Sequence, residues 1–262
     1  MTEDEMRAAC DLLYRHWADE TLLDALPEDL RPVTRAQAYA VQACMETHTA
    51  GPLFGWKIAA TSAAGQAHIN VDGPIAGRIL AERVIADGGT FVLGRSNMRL
   101  AEMEFAFRMG RDFPPRKAPY AQAEVMAGVA SLHPAIELPD TRYTDVTAVG
   151  AAQLIADNAC AHKFVLGPAT AIDWRSIDLA AHPVRAVIGG AVAGEGVGAN
   201  VLGDPRIALT WLANELSRHG LTLKAGEVVT TGTCVKPVPI TPGDQVLGDF
   251  GPLGQVGIAV SA

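Results

Sequence analysis

Apolar residues mark one helical face at the start of the chain and alternate positions of short segments further on. Met6, Ala9, Cys10, Leu13 and Trp17 have the spacing of a single helix face. Thr34 stands three residues before Gln37, the signature of a capping box, and Ala38, Val41 and Met45 then form a stripe over residues 35–48. A proline-bearing linker over residues 26–32 separates these two predicted helices. From Gly51 onward the segments shorten and become rich in glycine. Residues 54–58 and 100–109 alternate, and residues 164–166, 184–188, 228–231 and 255–260 read as further strands. Gly189-Gly190, between two apolar segments, suits a tight hairpin. Two more helices interrupt the strands. One covers residues 120–131; the other runs from an N-cap at Asp204, through Pro205, to Gly220, with Ala208, Leu209, Leu212 and Leu216 facing inward.

Helices first and dispersed short strands afterwards predict an α+β chain. Residues 1–50 form an N-terminal helical cap and residues 51–262 a mixed, rolled or barrel-like sheet, the two making one structural unit. With 49% apolar residues, the 262-residue chain can bury a sizeable core. The 26 glycines fit a sheet with many tight turns. Gly194-Glu195-Gly196-Val197-Gly198 superficially resembles a dinucleotide loop. Its third glycine is misplaced and no strand-to-helix turn surrounds it, so a hairpin or strand end is the better reading.

The net charge of -8, with no basic cluster, argues against nucleic acid and anionic membranes as partners. An anionic substrate stays possible, because a bound cation inverts the local charge. Cys10, Cys44, Cys160 and Cys234 are far apart with no CxxC spacing, so reduced thiols are expected rather than a zinc or redox motif. The N-terminus, MTEDEMRAAC, is acidic where a secretory signal is basic. No apolar run approaches the ~20 residues that cross a bilayer. A soluble cytoplasmic protein is the expectation.

The chemistry concentrates in carboxylates. On a strand, Met103, Phe105 and Phe107 point one way while Glu102 and Glu104 point the other. The two glutamates are then ~6.6 Å apart along the strand. Like charges so placed oppose each other's ionisation. A divalent cation between them removes the conflict, and hard Mg²⁺ or Mn²⁺ prefers oxygen ligands. The alternative is a solvated outer face. Glu137, flanked by apolar residues, is either buried with a partner or at a strand end. Lys57 sits between Trp56 and Ile58, either as a desolvated proton-transfer group or as a charged edge-strand residue. The seven histidines include no HExxH, and no GxSxG is present.

Several stretches, in order and spacing, resemble the 2-oxopent-4-enoate hydratase and 2-oxo-3-hexenedioate decarboxylase family of the fumarylacetoacetate hydrolase superfamily. Residues 55–62, GWKIAATS, resemble its G-[YWH]-K-[IV]-G-x-T-S segment. Residues 101–106, AEMEFA, resemble its [AV]-E-x-E-[IVF]-A strand. Residues 134–143, PAIELPDTRY, and 155–160, IADNAC, resemble P-A-I-E-x-x-D-[ST]-R-[IY] and A-D-N-[AC]-S. The resemblance implies the superfamily's β-roll with an N-terminal helical segment, a homo-oligomer, and Mg²⁺ or Mn²⁺ on Glu102, Glu104 and Glu137. It also implies a proton-shuttling or water-positioning role for Lys57. Thr61 and Ser62 become substrate hydrogen-bonding residues, and Gly232 and Thr233 a backbone site for the substrate carboxylate. The implied substrate is a small 2-oxo or 2-hydroxydienoic acid, whose carboxylate and carbonyl oxygens chelate the cation while negative charge develops on the C2 oxygen. Hydration of a 2-hydroxy-2,4-dienoate is the leading reaction. Decarboxylation of a 2-oxo-3-enedioate, hydrolysis of an acylpyruvate-like C–C bond, and a catalytically silent partner subunit are the alternatives.

The sequence departs from the family after the first motif. Family members often read V-D-x-P-D-[FY]-G where residues 71–78 here are VDGPIAGR. Ile75 replaces the acid, Ala76 the aromatic, and Arg78 follows the glycine. If Arg78 faces the pocket, it would pair with a second carboxylate on a larger substrate; the alternative is a solvated surface arginine.

Overall fold

The computed structural model describes all residues, 1–262. Its helices are α1 (Glu3–Ala18), α2 (Arg35–Ala43), α3 (Ala63–His68), α4 (Gln122–Ala127), α5 (Gly150–Ala156) and α6 (Pro205–Arg218). Its strands are β1 (Leu53–Ala59), β2 (Ile75–Leu80), β3 (Val84–Ile85), β4 (Thr90–Val92), β5 (Leu100–Met109), β6 (Val129–Leu138) and β7 (Lys163–Leu166), followed by β8 (Pro183–Ile188), β9 (Ala191–Val197), β10 (Val228–Thr233), β11 (Val238–Pro239), β12 (Gln245–Asp249) and β13 (Gln255–Ser261).

The helices begin where side chains satisfy free backbone N–H groups. Thr2 and Glu5 make a reciprocal capping box at α1. Thr34 caps α2 by accepting from Gln37 N–H, but the Gln37 side chain accepts from Val33 rather than closing the box. Asp204 caps α6, Pro205 occupies the first turn, and Gly220 follows the helix with φ +72°. The stripe expected over residues 35–48 is helical throughout, its last turn tightening to 3₁₀ over Cys44–His48. The helix expected over residues 120–131 is a correction: α4 stops at Ala127 and the chain is already strand at Val129. Pairing with β5 from Met109 downward takes the backbone groups that a longer helix would have used.

One sheet runs β2-β1-β10-β5-β6-β7-β3, with β11 added beside β5. The β1–β10 and β3–β7 pairs are parallel and the others antiparallel. A smaller sheet, β4-β13-β12-β8-β9, packs against β5, β6 and β7. Gly189 and Gly190, at φ 58° and 85°, make the β8–β9 turn, and the GEGVG stretch lies on β9 and just beyond it, as expected of a strand end.

The large sheet rolls on itself. The rings of Phe54 on β1 and Phe164 on β7 are 6.1 Å apart. Four strand spacings separate those strands, ~19 Å if the sheet were flat. The outer face of the roll, with Met103, Phe105, Phe107 and Ile136, joins an apolar core of 57 residues. Ala9, Leu13 and Trp17 of α1 belong to the same core, as do Val256 and Ile258 of β13, so residues 1–50 have no separate interior. The inner face carries a small cluster of Ile79, Ala106, Ala135, Phe164 and Val228. The four cysteines are free thiols. No helix is long and apolar enough to cross a membrane.

Candidate active site

Strand register brings the chemistry to the inner face. On β5, Glu102, Glu104 and Ala106 share that face because side chains alternate. Glu102 pairs with Glu137 on β6, and Ala106 with Thr230 on β10. Thr230 in turn pairs with Lys57 on β1. Four strands thus deliver three carboxylates, a hydroxyl and an ammonium to one end of the roll, beside the small apolar cluster. One carboxylate oxygen from each of Glu102, Glu104 and Glu137 lies within 4.8 Å of the others. Glu104 and Glu137 are buried, while Glu102 is partly exposed and marks the open side.

The charges are only partly compensated. Lys57 Nζ lies 3.0 Å from Glu137 Oε1 and donates to the Ala159 carbonyl at 2.9 Å. Glu104 Oε2 accepts from the Thr230 hydroxyl and, at 2.8 Å, from Gly232 N–H. Glu104 Oε1 and Glu137 Oε2 are buried with no partner, and Glu137 Oε1 has only the Lys57 ammonium beside it. Burial, followed by the charges of Glu137 and Glu102, pushes the Glu104 carboxyl well above the usual range. Burial likewise raises Glu137 and Glu102, with Lys57 pulling each back. For Lys57, burial favours the neutral amine, but Glu137 and Glu102 outweigh it and hold the ammonium above its ordinary pKa. Hard, anionic, under-compensated oxygens converging from two adjacent strands are a donor set suited to a divalent cation, whose charge would reverse the upward shifts. The residues present therefore fit the implied metal.

The other expected residues divide. The Thr61 hydroxyl lies against Gly232, whose φ of +106° and lack of a Cβ permit that approach; a Cβ there would be 2.1 Å from Thr61 Oγ1. Two expectations are corrected, those for Gly232 and Arg78. Gly232 N–H is committed to Glu104, so it braces the carboxylate rather than offering a free donor. The Thr233 hydroxyl donates to the Val235 carbonyl, a contact that leaves its backbone N–H aside, and Ser62 caps α3 by accepting from Gly65 N–H, which keeps its own O–H as a donor. Arg78 is neither in the site nor on the surface. It pairs across the ladder with Trp56, so it faces the helices while its neighbour Gly77 faces Lys57. Its guanidinium lies over the Trp56 ring at 4.7 Å, donates to Glu46 at 2.7 Å and to Gln42, and is 1% exposed.

Two parts of the site were not anticipated. Thr230 was recoverable, since period two in the strand before Gly232 puts it on an inward face. The turn from Asn158 to Cys160 was not. All three residues are left-handed, at φ 56°, 52° and 60°. For L-residues this conformation costs ~1–2 kcal/mol each, and of the three only Asn158 has a side chain that favours it.

The family model described as "Fumarylacetoacetate (FAA) hydrolase C-terminal" matches residues 57–260. The chain is 32% identical over 255 residues to 2-keto-4-pentenoate hydratase 1 of Dechloromonas aromatica, covering 95% of this chain and 94% of that protein. It is 29% identical over 240 residues to 2-oxo-hept-4-ene-1,7-dioate hydratase of Escherichia coli, covering 88% and 89%. Among solved structures, 4-oxalocrotonate decarboxylase from Pseudomonas putida G7, complexed with magnesium and adipate, superposes with a TM-score of 0.90 at 25% identity over 99% of this chain and 98% of that one. With a family match that spans residues 57–260, this chain belongs to the fumarylacetoacetate hydrolase family.

Proposed function

We propose that this protein is a divalent-metal-dependent hydratase that converts a 2-hydroxy-2,4-dienoate to a 4-hydroxy-2-oxo acid. The observation that carries the reading is the pair of buried, unpartnered oxygens, Glu104 Oε1 and Glu137 Oε2, gathered with Glu102 beside Lys57. Glu102, Glu104 and Glu137 would hold Mg²⁺ or Mn²⁺. The cation supplies a Lewis acid for the carboxylate and carbonyl oxygens of a 2-oxo acid. Lys57 holds a proton close to the place where the substrate chain must extend. Ketonisation moves the proton of the C2 hydroxyl to C5; water then adds its oxygen at C4 and a proton at C3. A general acid–base group that stays protonated, yet has only one firm hydrogen bond, suits that relay. Thr61, against Gly232, and its neighbour Ser62 are the candidates for a substrate hydrogen bond, and the Thr233 N–H for the substrate carboxylate. The near full-length likeness to two hydratases supports water addition. The intact carboxylate trio weighs against a silent subunit. Like the family it resembles, the chain is read as a homo-oligomer.

A second reading has one specific support, the 0.90 TM-score to a decarboxylase complexed with magnesium and adipate. In that reaction the electrons released with CO2 would flow toward the same C2 oxygen, so one set of residues suits either outcome. Incubating the protein with Mg²⁺ and 2-hydroxypenta-2,4-dienoate, and following loss of the dienoate ultraviolet band, tests hydration. Release of CO2 from 2-oxo-3-hexenedioate, with no such loss, would favour the decarboxylase. Turnover of neither substrate with Mg²⁺ or Mn²⁺ would overturn both.

A further inference from the structure

Asn158, Ala159 and Cys160 form a left-handed run in which no residue is glycine and all are buried. L-residues enter this region singly, and a run persists only where its surroundings over-determine it. Here they do. Arg142 lies along the turn, ion-paired through Nε with Asp157 and donating to the Asp157 carbonyl and, at 3.0 Å, to the Ala161 carbonyl. Asn158 brackets one residue of β2: Oδ1 accepts from Arg78 N–H at 2.6 Å and Nδ2 donates to the Arg78 carbonyl at 2.8 Å. Next to it, a Cβ on Gly77 would lie 2.3 Å from the Asn158 carbonyl and 3.1 Å from Lys57 Cδ, so the turn, β2 and the lysine stem are in close contact. The result is one inward carbonyl, that of Ala159, 2.9 Å from Lys57 Nζ.

We infer that the left-handed turn at 158–160 positions Lys57, with Asn158 as the residue that locks it. By tying the turn to β2, Asn158 holds the Ala159 carbonyl where it fixes the ammonium beside Glu137. An ammonium has three N–H donors. One goes to the carbonyl, one points to Glu137, and one is left for the substrate. A neutral carbonyl sets this direction without adding a fourth negative charge to a site that already has three carboxylates. Asparagine suits the position on two counts: it tolerates left-handed backbone, and its amide answers both an N–H and a C=O. Asn158 is a positioning residue and touches no substrate.

The inference rests on the reading of Lys57 as the proton-handling group, and its test keeps the two apart. Asn158→Asp keeps the acceptor and loses the donor. It should lower kcat by roughly 10- to 100-fold, the scale of a misplacement near 1 Å. KM and Mg²⁺ affinity by calorimetry should stay within about twofold, because no ligand is touched. In a Lys57→Met background the same change should add no further loss, since both act through one group. Without turnover or metal, acetylation of Lys57 by an N-hydroxysuccinimide ester, read by mass spectrometry, should rise roughly tenfold as the turn opens locally. Asn158→Gly suits the left-handed backbone, deletes both side-chain bonds, and should behave alike if the first variant fails to fold. Wild-type kcat and wild-type labelling in either folded variant would overturn the inference, as would a loss additive to that of Lys57→Met. Wild-type kcat in Lys57→Met itself would instead overturn the role of Lys57, and with it the purpose of the turn.

Discussion

Glu104 divides its labour between its two oxygens. Oε2 takes the Thr230 hydroxyl and Gly232 N–H, and Oε1 has nothing. Glu104→Gln therefore keeps an acceptor for the two donors but replaces the bare oxygen with an amide that cannot ligate. The variant should fold, and in chelator it should melt no lower than wild type, because one of three crowded carboxylates is gone. Its Mg²⁺ affinity should fall by more than roughly 100-fold, beyond what loss of a supporting contact does. Wild-type binding of Mg²⁺ in a calorimetric titration would remove Glu104 from the metal site. Arg78 makes the opposite case, a charged residue whose work is structural. Arg78→Ala empties the space over Trp56 and leaves Gln42 and Glu46 without their partner. Glu46 is 45% exposed and can turn to water, so the loss should be smaller than for a fully buried pair, about 2–3 kcal/mol in urea unfolding. The ratio of kcat/KM between a monocarboxylate and a dicarboxylate substrate should not change. A selective loss on the dicarboxylate would return Arg78 to the pocket.

At the scale of elements, the parallel pairing of β1 with β10 decides where Lys57 stands. Gly55 permits it: a Cβ there would lie 1.9 Å from the Val228 carbonyl, in backbone that has no room to yield. Gly55→Ala should cost about 3 kcal/mol or more, the upper end of overpacking. Gly73→Ala, with nothing within 4 Å, is the control and should leave the unfolding midpoint in place. A small effect at Gly55 would mean that β1 can slide without loss. Such pairings explain what the sequence made legible. Glu102 and Glu104 could be placed on one face because alternation is a local property of β5. That Glu137 stands opposite Glu102 is a matter of register between two long strands, which no local pattern encodes; only the resemblance reached it. β6 itself was not foreseen, because Pro134 in mid-strand lacks the N–H expected of a central strand. Arg78 was misplaced for a related reason. Its orientation follows from β2, and that strand was not recognised, so the parity that sends Gly77 toward Lys57 and Arg78 toward the helices could not be read.

The whole molecule closes around His162, where the helical segment, the roll and the smaller sheet meet. The ring accepts a hydrogen bond from Trp17 Nε1 of α1 at 2.8 Å and stands edge-on to Phe91 of β4 at 5.9 Å. Arg83 and Arg142 both lie over the Trp17 ring, at 4.2 and 4.9 Å. Because Nδ1 accepts, the imidazole is neutral in the native state. Burial first, and then the charges of Arg142, Arg83 and Lys163, depress its pKa from 6.5 to about 3. The unfolded chain binds a proton at His162 below pH 6.5 and the folded one does not, so the associated stability is complete above that pH and is lost progressively as pH falls toward 3. The three glutamates of the site, whose pKa values are raised, act in the opposite sense, so the wild-type profile alone cannot isolate the histidine. A comparison with His162→Asn can, since asparagine keeps an oxygen to accept from Trp17 and does not titrate. Between pH 7 and pH 5 wild type should lose about 1–2 kcal/mol more stability than the variant, up to ~1.4 kcal/mol per pH unit with a discount for the partly accessible ring edge. Urea unfolding of both proteins at the two pH values, in chelator, measures the difference. Parallel profiles would mean that His162 can be protonated in place, and that the junction between α1 and the two sheets is looser than its contacts imply.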